Sequence, residues 1–338
     1  MALGALVCFP LASVAAESPS GGLEMAKRHE ARAVLPTNVA PIHYAIEFTP
    51  DATTLRFDSH ARIDVEVRQA THAITLNAAA LEFGAVRLLP SARSSSARVP
   101  SGRTPRIEVD SKRETASFEF AEVLAPGQYA LDIEYRGRIN PNPAGLFALD
   151  YTAPDKTSRR ALFTQFENTD ARRFVPCWDE PGIKATYDLT AIVPASELAV
   201  SNMPVAQTTP AGDGLTRVRF QTTPKMSVYL LFFALDDLER VHRQVGKIDL
   251  GVIVRRGSTA DARFALDASA RLLDYYNDYF GIPFPLPKLD LIGGPGVSQF
   301  FGAMENWGAI FAFEKDLLID ERTSTLEDRQ NVFTGAAH

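Results

Sequence analysis

The sequence predicts a mainly β N-terminal domain, a saddle or sandwich, over residues 35–237, followed by the start of an α+β domain over 238–338. Three observations carry this. Apolar and polar residues alternate in several stretches before Asp237, the two-residue period of strands with one wet face. No long stretch at helical spacing occurs before residue 258. Beyond Asp237, helical and strand patterns mix. A length of 338 residues also exceeds what one hydrophobic core usually supports.

The chain opens with a stretch that reads as an export signal. Ala2 to Val14 is mostly apolar, and Val14-Ala15-Ala16 offers small residues at a cleavage position, so residues 1–16 are expected to be a signal peptide and the protein periplasmic or extracellular. Against this, no Lys or Arg precedes the apolar run and Pro10 interrupts it, and without the signal the protein is expected in the cytoplasm. Residues 17–34 read as a linker. No later apolar run reaches the length of a membrane helix.

From Leu35 the strands follow in order. Ile63, Val65 and Val67 alternate with Arg62, Asp64 and Glu66. Tyr129, Leu131, Ile133 and Tyr135 do the same after the turn signal Pro126-Gly127, and Tyr187, Leu189, Ala191 and Val193 repeat it. This part therefore reads as antiparallel β. Ser91 to Arg106 is rich in Ser, Arg, Pro and Gly and reads as a solvated loop. Val228 to Leu235 is continuously apolar and predicts a strand buried on both faces. Lys247 to Val254 is one more strand. Ser258 with Asp261 predicts a helix start, Phe264, Ala268, Leu272, Tyr275 and Tyr279 its apolar face, and Gly281 its end. Pro283, Pro285 and Pro287 force an extended segment. Leu289 to Ile292 and Ala309 to Phe313 read as strands, and a last helix runs from near Thr323 to His338. That helix carries no stop signal, so the chain is expected to be a fragment.

Composition excludes several classes. At 46% hydrophobic and 22% charged residues the chain is globular, and a net charge of -6 argues against nucleic acid as partner. Of two cysteines, Cys8 lies in the apolar leader, leaving Cys177 alone, so neither a disulfide framework nor a Cys-rich zinc site is expected.

A few positions carry chemistry. Gln165 and Glu167 are two apart on an extended segment and share a face. A surface carboxylate is the plain alternative for Glu167, and a charged turn before Pro181 for Asp179-Glu180. Glu305 stands among Ala303, Met304 and Trp307, and a carboxylate in apolar company needs a partner cation or a function. Spacing alone supports no metal site at His338.

Gly302-Ala303-Met304-Glu305-Asn306-Trp307-Gly308 resembles the exopeptidase motif of the zinc aminopeptidases of the aminopeptidase N family, the gluzincin group M1. Thr164-Gln165-Phe166-Glu167, Thr169 to Arg173 and Pro176-Cys177-Trp178-Asp179-Glu180-Pro181 resemble that family's N-domain signature. Leu35-Pro36, His43-Tyr44, Ser201-Asn202-Met203-Pro204, Thr223 to Ser227 and Tyr279 to Pro283 are similar to family segments in the right order. The resemblance implies an aminopeptidase N-like β domain and a truncated thermolysin-like catalytic domain. It implies peptide substrates with a free N-terminus, and one Zn2+ per full-length chain. Glu167 and Glu305 are expected to clamp the substrate ammonium, Gln165 to assist at the first side chain, and Gly302 and Ala303 to bond the substrate strand. Met304 belongs to the same substrate-binding motif, and Asn306 is expected to brace it. His338 corresponds to the first histidine of the H-E-x-x-H motif, a zinc ligand. The general-base glutamate and the other ligands are expected beyond His338, so these 338 residues are expected to purify without stoichiometric zinc and to leave an aminoacyl-arylamide uncut. Gly293 to Phe301 departs from the family's Pro-acid-Phe stretch, which leaves residue preference open. Two alternatives stand beside this reading, a non-catalytic β-rich binding relative and a zinc epoxide hydrolase with aminopeptidase activity. Ala303 speaks for the plain aminopeptidase.

Overall fold

The computed structural model describes residues 34–90, 102–296 and 302–338. The expected signal peptide, nearly all of the linker, most of the Ser91–Arg106 loop and the Val297–Phe301 part of the departing segment lie outside the described residues. Leu35–His338 forms one compact unit.

The alternating stretches become strands because alternation gives each one buried face. In the strand Arg56–Val67, Phe57, Ala61, Ile63, Val65 and Val67 are buried. This strand lies near the middle of an eight-stranded sheet. Its main order is Val205–Gly212, Leu215–Phe220, Lys184–Pro194, Val39–Asp51, Arg56–Val67, Gly127–Arg138 and Glu82–Pro90, with Met226–Ser227 added beside Lys184–Pro194. The expectation of a purely antiparallel β region needs one correction. Val39–Asp51 and Lys184–Pro194 pair in parallel, which the long return of the chain between them permits. A three-stranded sheet orders Thr71–Asn77, Thr115–Leu124 and Arg106–Asp110.

Two further sheets position the site. A four-stranded sheet orders Leu198–Ser201, Phe233–Asp236, Ser158–Gln165 and Gly145–Thr152. A five-stranded sheet orders Leu238–Val245, Ile248–Arg255, Lys288–Gly294, Ala309–Phe313 and Ala303–Met304. One hydrophobic cluster draws on both: Phe147, Phe163 and Phe232 pack with Ile253, Ile292, Met304 and Phe311. The run Val228–Leu235 is buried only in part as a strand. Val228–Leu230 forms a 3-10 turn and Phe233–Asp236 the strand. The Asn202 side chain supplies the reason, because it bonds Leu230 O and Phe232 N–H in place of a sheet partner.

Two helices complete the described residues. Helix α1 spans Arg263–Phe280 and ends at Gly281, whose φ of 63° suits a residue without Cβ. It starts later than Ser258 suggests: Ser258 O accepts from Asp261 N–H in a turn, and the helix has no side-chain cap. Its buried face is Ala265, Ala268, Ser269, Leu272 and Leu273, whereas Tyr275 and Tyr279 are exposed. Helix α2 spans Leu326–Ala337. Thr325 caps it in a reciprocal box with Asp328, and His338 is its C-cap. The two helices meet where Tyr276 O–H donates to Ala337 O at 2.6 Å. No helix of the described residues is long and apolar enough to cross a membrane.

Candidate functional site

The short strand Ala303–Met304 pairs antiparallel with Ala309–Phe313, placing Met304 opposite Phe311. Period-two alternation continues past it. Ala303 and Glu305 are exposed, whereas Met304 (1%) and Asn306 (0%) are buried. Of the apolar company expected around Glu305, Met304 lies on the opposite side of the backbone and Ala303 on the same side, and Glu305 itself is exposed.

It faces a cavity of about 820 Å³. One wall is Ala303 to Gly308, another is the α1 residues Leu272, Tyr276 and Phe280 with Pro283 and Pro285, and the third is the end of α2. His338 lies on that third wall, so the motif and the terminal histidine share one space. Gly302 does not line it. Its carbonyl accepts from Phe313 N–H at 3.2 Å.

The second segment reaches this region from the four-stranded sheet. Gln165 ends the strand Ser158–Gln165 and is buried, with Nε2 3.6 Å from the Met304 sulfur. Its Oε1 has no partner among the described residues. Glu167, two residues on, is exposed. Burial first, then the charges of Glu305 and Glu167, push the pKa of the Tyr229 phenol up. Sequence reasoning did not find Tyr229, although it lies just beyond the quoted segment Thr223 to Ser227.

The N-domain signature holds the Glu167 segment in place. Arg172 Nε donates to Asp179 Oδ2 at 2.9 Å, and both side chains are buried. Arg172 and Arg173 also grip the two oxygens of Glu114, and Asp179 N–H donates to Asn77 Oδ1. The charged surface turn offered as the plain alternative for Asp179 is overturned by this burial. Asp170 N–H donates to Phe166 O, tying the network to the residue before Glu167. Cys177 sits inside, buried and unpaired.

The motif's far end is held from two sides. Asn202 Nδ2 donates to Trp307 O at 3.0 Å, and buried Lys288 Nζ donates to Gly308 O at 2.7 Å. Burial pushes the Lys288 pKa down, which its contact with Asp290 opposes. The bracing expected of Asn306 runs through its backbone, whose carbonyl accepts from Ala309 N–H. Its buried side-chain amide has no partner among the described residues.

A catalytic zinc site takes three protein ligands. Among the described residues no group of three or more His, Cys, Asp or Glu side chains could hold a metal ion. His338 and Glu305 line the cavity without forming such a group.

Comparison with known proteins adds independent information. The model of the peptidase M1 N-terminal domain matches residues 40–230, and that of the peptidase family M1 domain matches 264–338. Aminopeptidase N of Acetobacter pasteurianus is 39% identical over 329 residues, 97% of this chain and 89% of that protein. Puromycin-sensitive aminopeptidase of Caenorhabditis elegans is 34% identical over 306 residues, 90% of this chain and 31% of that protein. Endoplasmic reticulum aminopeptidase 1 of Rattus norvegicus is 31% identical over 305 residues, 90% and 32%. The chain thus spans most of the first relative and about a third of the other two.

Proposed function

This chain belongs to peptidase family M1, and from that premise we propose that it carries the amine-recognition half of a zinc aminopeptidase site. The observation that carries the proposal is the outward carboxylate of Glu305 on a cavity that also reaches His338. In the proposal Glu305 and Glu167 converge on the substrate's N-terminal ammonium. Two carboxylates facing one point repel each other, and a cation between them relieves that repulsion and donates charge-assisted hydrogen bonds. The shared influence of both acids on Tyr229 supports their convergence. Holding the ammonium fixes which peptide bond is presented for cleavage, and an internal residue has no ammonium to offer. Gln165 then borders the first side chain, its buried Oε1 having no partner among the described residues. Ala303, exposed and without bulk, leaves its backbone open to a substrate strand.

His338 is the candidate zinc ligand. A zinc held with its help would supply Lewis acidity at a scissile carbonyl. The test is hydrolysis of a leucyl-arylamide by the zinc-loaded full-length protein, compared with the same compound acetylated on its amine. The free amine is expected to be cut and the blocked one left intact. Equal cleavage of both would refute amine recognition.

A further inference from the structure

Glu305 sits between two fixed points. On one side Met304 is held in the ladder opposite Phe311. On the other, Asn306 O accepts from Ala309 N–H and closes a turn over residues 306–309. That turn is gripped at two consecutive carbonyls from two different sheets. Asn202, directly after the strand Leu198–Ser201 of the four-stranded sheet, reaches Trp307 O. Lys288, at the start of Lys288–Gly294 in the five-stranded sheet, reaches Gly308 O, and Asp290 N–H donates to the same oxygen at 3.1 Å.

Both side chains are buried. Asn202 is 1% exposed and satisfied at each polar atom: Nδ2 donates to Leu230 O at 2.7 Å and to Trp307 O, and Oδ1 accepts from Phe232 N–H at 2.8 Å. Lys288 is 7% exposed and pairs with Asp290 at 2.9 Å. The approach is close enough to exclude a side chain at Gly308. Its φ is 79°, and a Cβ there would lie 2.6 Å from Asn202 O and 2.8 Å from a Leu286 methyl. A buried amide and a buried ammonium are costly to maintain where apolar packing could join two sheets.

We propose that Asn202 and Lys288 are positioning residues of the amine site, which hold the Trp307 and Gly308 carbonyls so that the Glu305 carboxylate meets the substrate ammonium in one fixed direction. This rests on the reading of Glu305 given above. Neither residue touches the ligand. Each acts through the backbone of the turn, by keeping a charge-assisted contact prepaid in orientation.

The test is a double-mutant cycle on this chain, labelled with 5-fluorotryptophan and read by 19F NMR. Trp307 lines the cavity and Trp178 is buried in the core, so one resonance reports the site and the other the fold. Leucinamide is the probe and N-acetylleucinamide the blocked control. Asn202→Ala is expected to weaken leucinamide binding about tenfold, and to cost nothing further when Glu305 is already Gln. Lys288→Met, which leaves every bond of Asn202 in place, is the second variant should Asn202→Ala not fold. It is expected to weaken binding about threefold with the same non-additivity. Unchanged affinity in both variants, or the same loss in the Glu305→Gln background, would overturn the proposal while leaving the amine reading intact. If wild type binds the blocked control as well as leucinamide, or Glu305→Gln binds as wild type does, the amine reading fails and the positioning role falls with it.

Discussion

Glu305 is the residue on which the functional reading turns, and its exposure between buried Met304 and buried Asn306 is what frees it for a ligand. In the zinc-loaded full-length protein, Glu305→Ala is expected to lower kcat/KM for a leucyl-arylamide by several kcal/mol, about a thousandfold, acting on both KM and kcat. An unchanged kcat/KM would remove Glu305 as the anchor. Asp179 has a different task. It is 1% exposed with Arg172 as its cationic partner. Asp179→Ala is expected to cost about 3 kcal/mol of stability by urea titration, because it removes one of the two carboxylates that hold buried Arg172 and leaves Glu114. Asp236 gives a pH signature. Burial pushes its carboxyl above the usual range, so the folded state keeps this proton to higher pH than the unfolded chain does. That stabilisation is complete below the unfolded carboxylate range, near ~4, and is lost as pH rises through the raised folded value. Asp236→Asn is expected to flatten this limb of a plot of urea midpoint against pH. At this scale the sequence named Gln165, Glu167 and Glu305 as chemistry-bearing but could not see which way Glu305 points. It also quoted Asn202 without a role, because the bond from Asn202 to Trp307 crosses between segments far apart in the chain.

The elements were legible wherever one face alone is buried. Residues 62–67, 129–135 and 187–193 alternate in sequence and are strands in the structure. The continuous run Val228–Leu235 carries no such period, and a side chain, Asn202, decides where its strand begins. The face of α1 was misjudged at its C-terminal end. Tyr276 rather than Tyr275 turns toward α2, since the partner of that turn is the Ala337 carbonyl. Helix α2 matters because it delivers His338 to the cavity while burying only Val332. With so little packing, its cap carries unusual weight. Thr325→Ala removes the hydroxyl half of the capping box, the bond from Asp328 N–H to Thr325 Oγ1, and is expected to cost about 1 kcal/mol. Hydrogen exchange should show it as faster amides over residues 326–328, with the strands unchanged. Unaltered exchange there would mean that packing alone holds the helix.

At the scale of the whole molecule, the site exists because two sheets share one core. Phe163 and Phe232 from one side and Phe311 from the other pack within ring-centroid distances of 5.0 and 6.2 Å, and Met304 belongs to the same cluster. Phe311→Ala is therefore expected to cost about 3–5 kcal/mol and to loosen the strand that presents Glu305. Family membership was legible from short motifs, and their physical sense emerges only in three dimensions. The Arg172–Asp179 network supports the Glu167 segment, while Asn202 and Lys288 support the Glu305 turn. The account's central claim is that these two supported carboxylates recognise one ammonium. Its most direct test is the affinity of this chain for leucinamide against N-acetylleucinamide, in wild type, Glu167→Gln, Glu305→Gln and the double variant. The account predicts binding of the free amine alone, loss of most of that preference in each single variant, and little further loss in the double. Equal binding of the blocked and free amines, or a preference that survives the double variant, would contradict it.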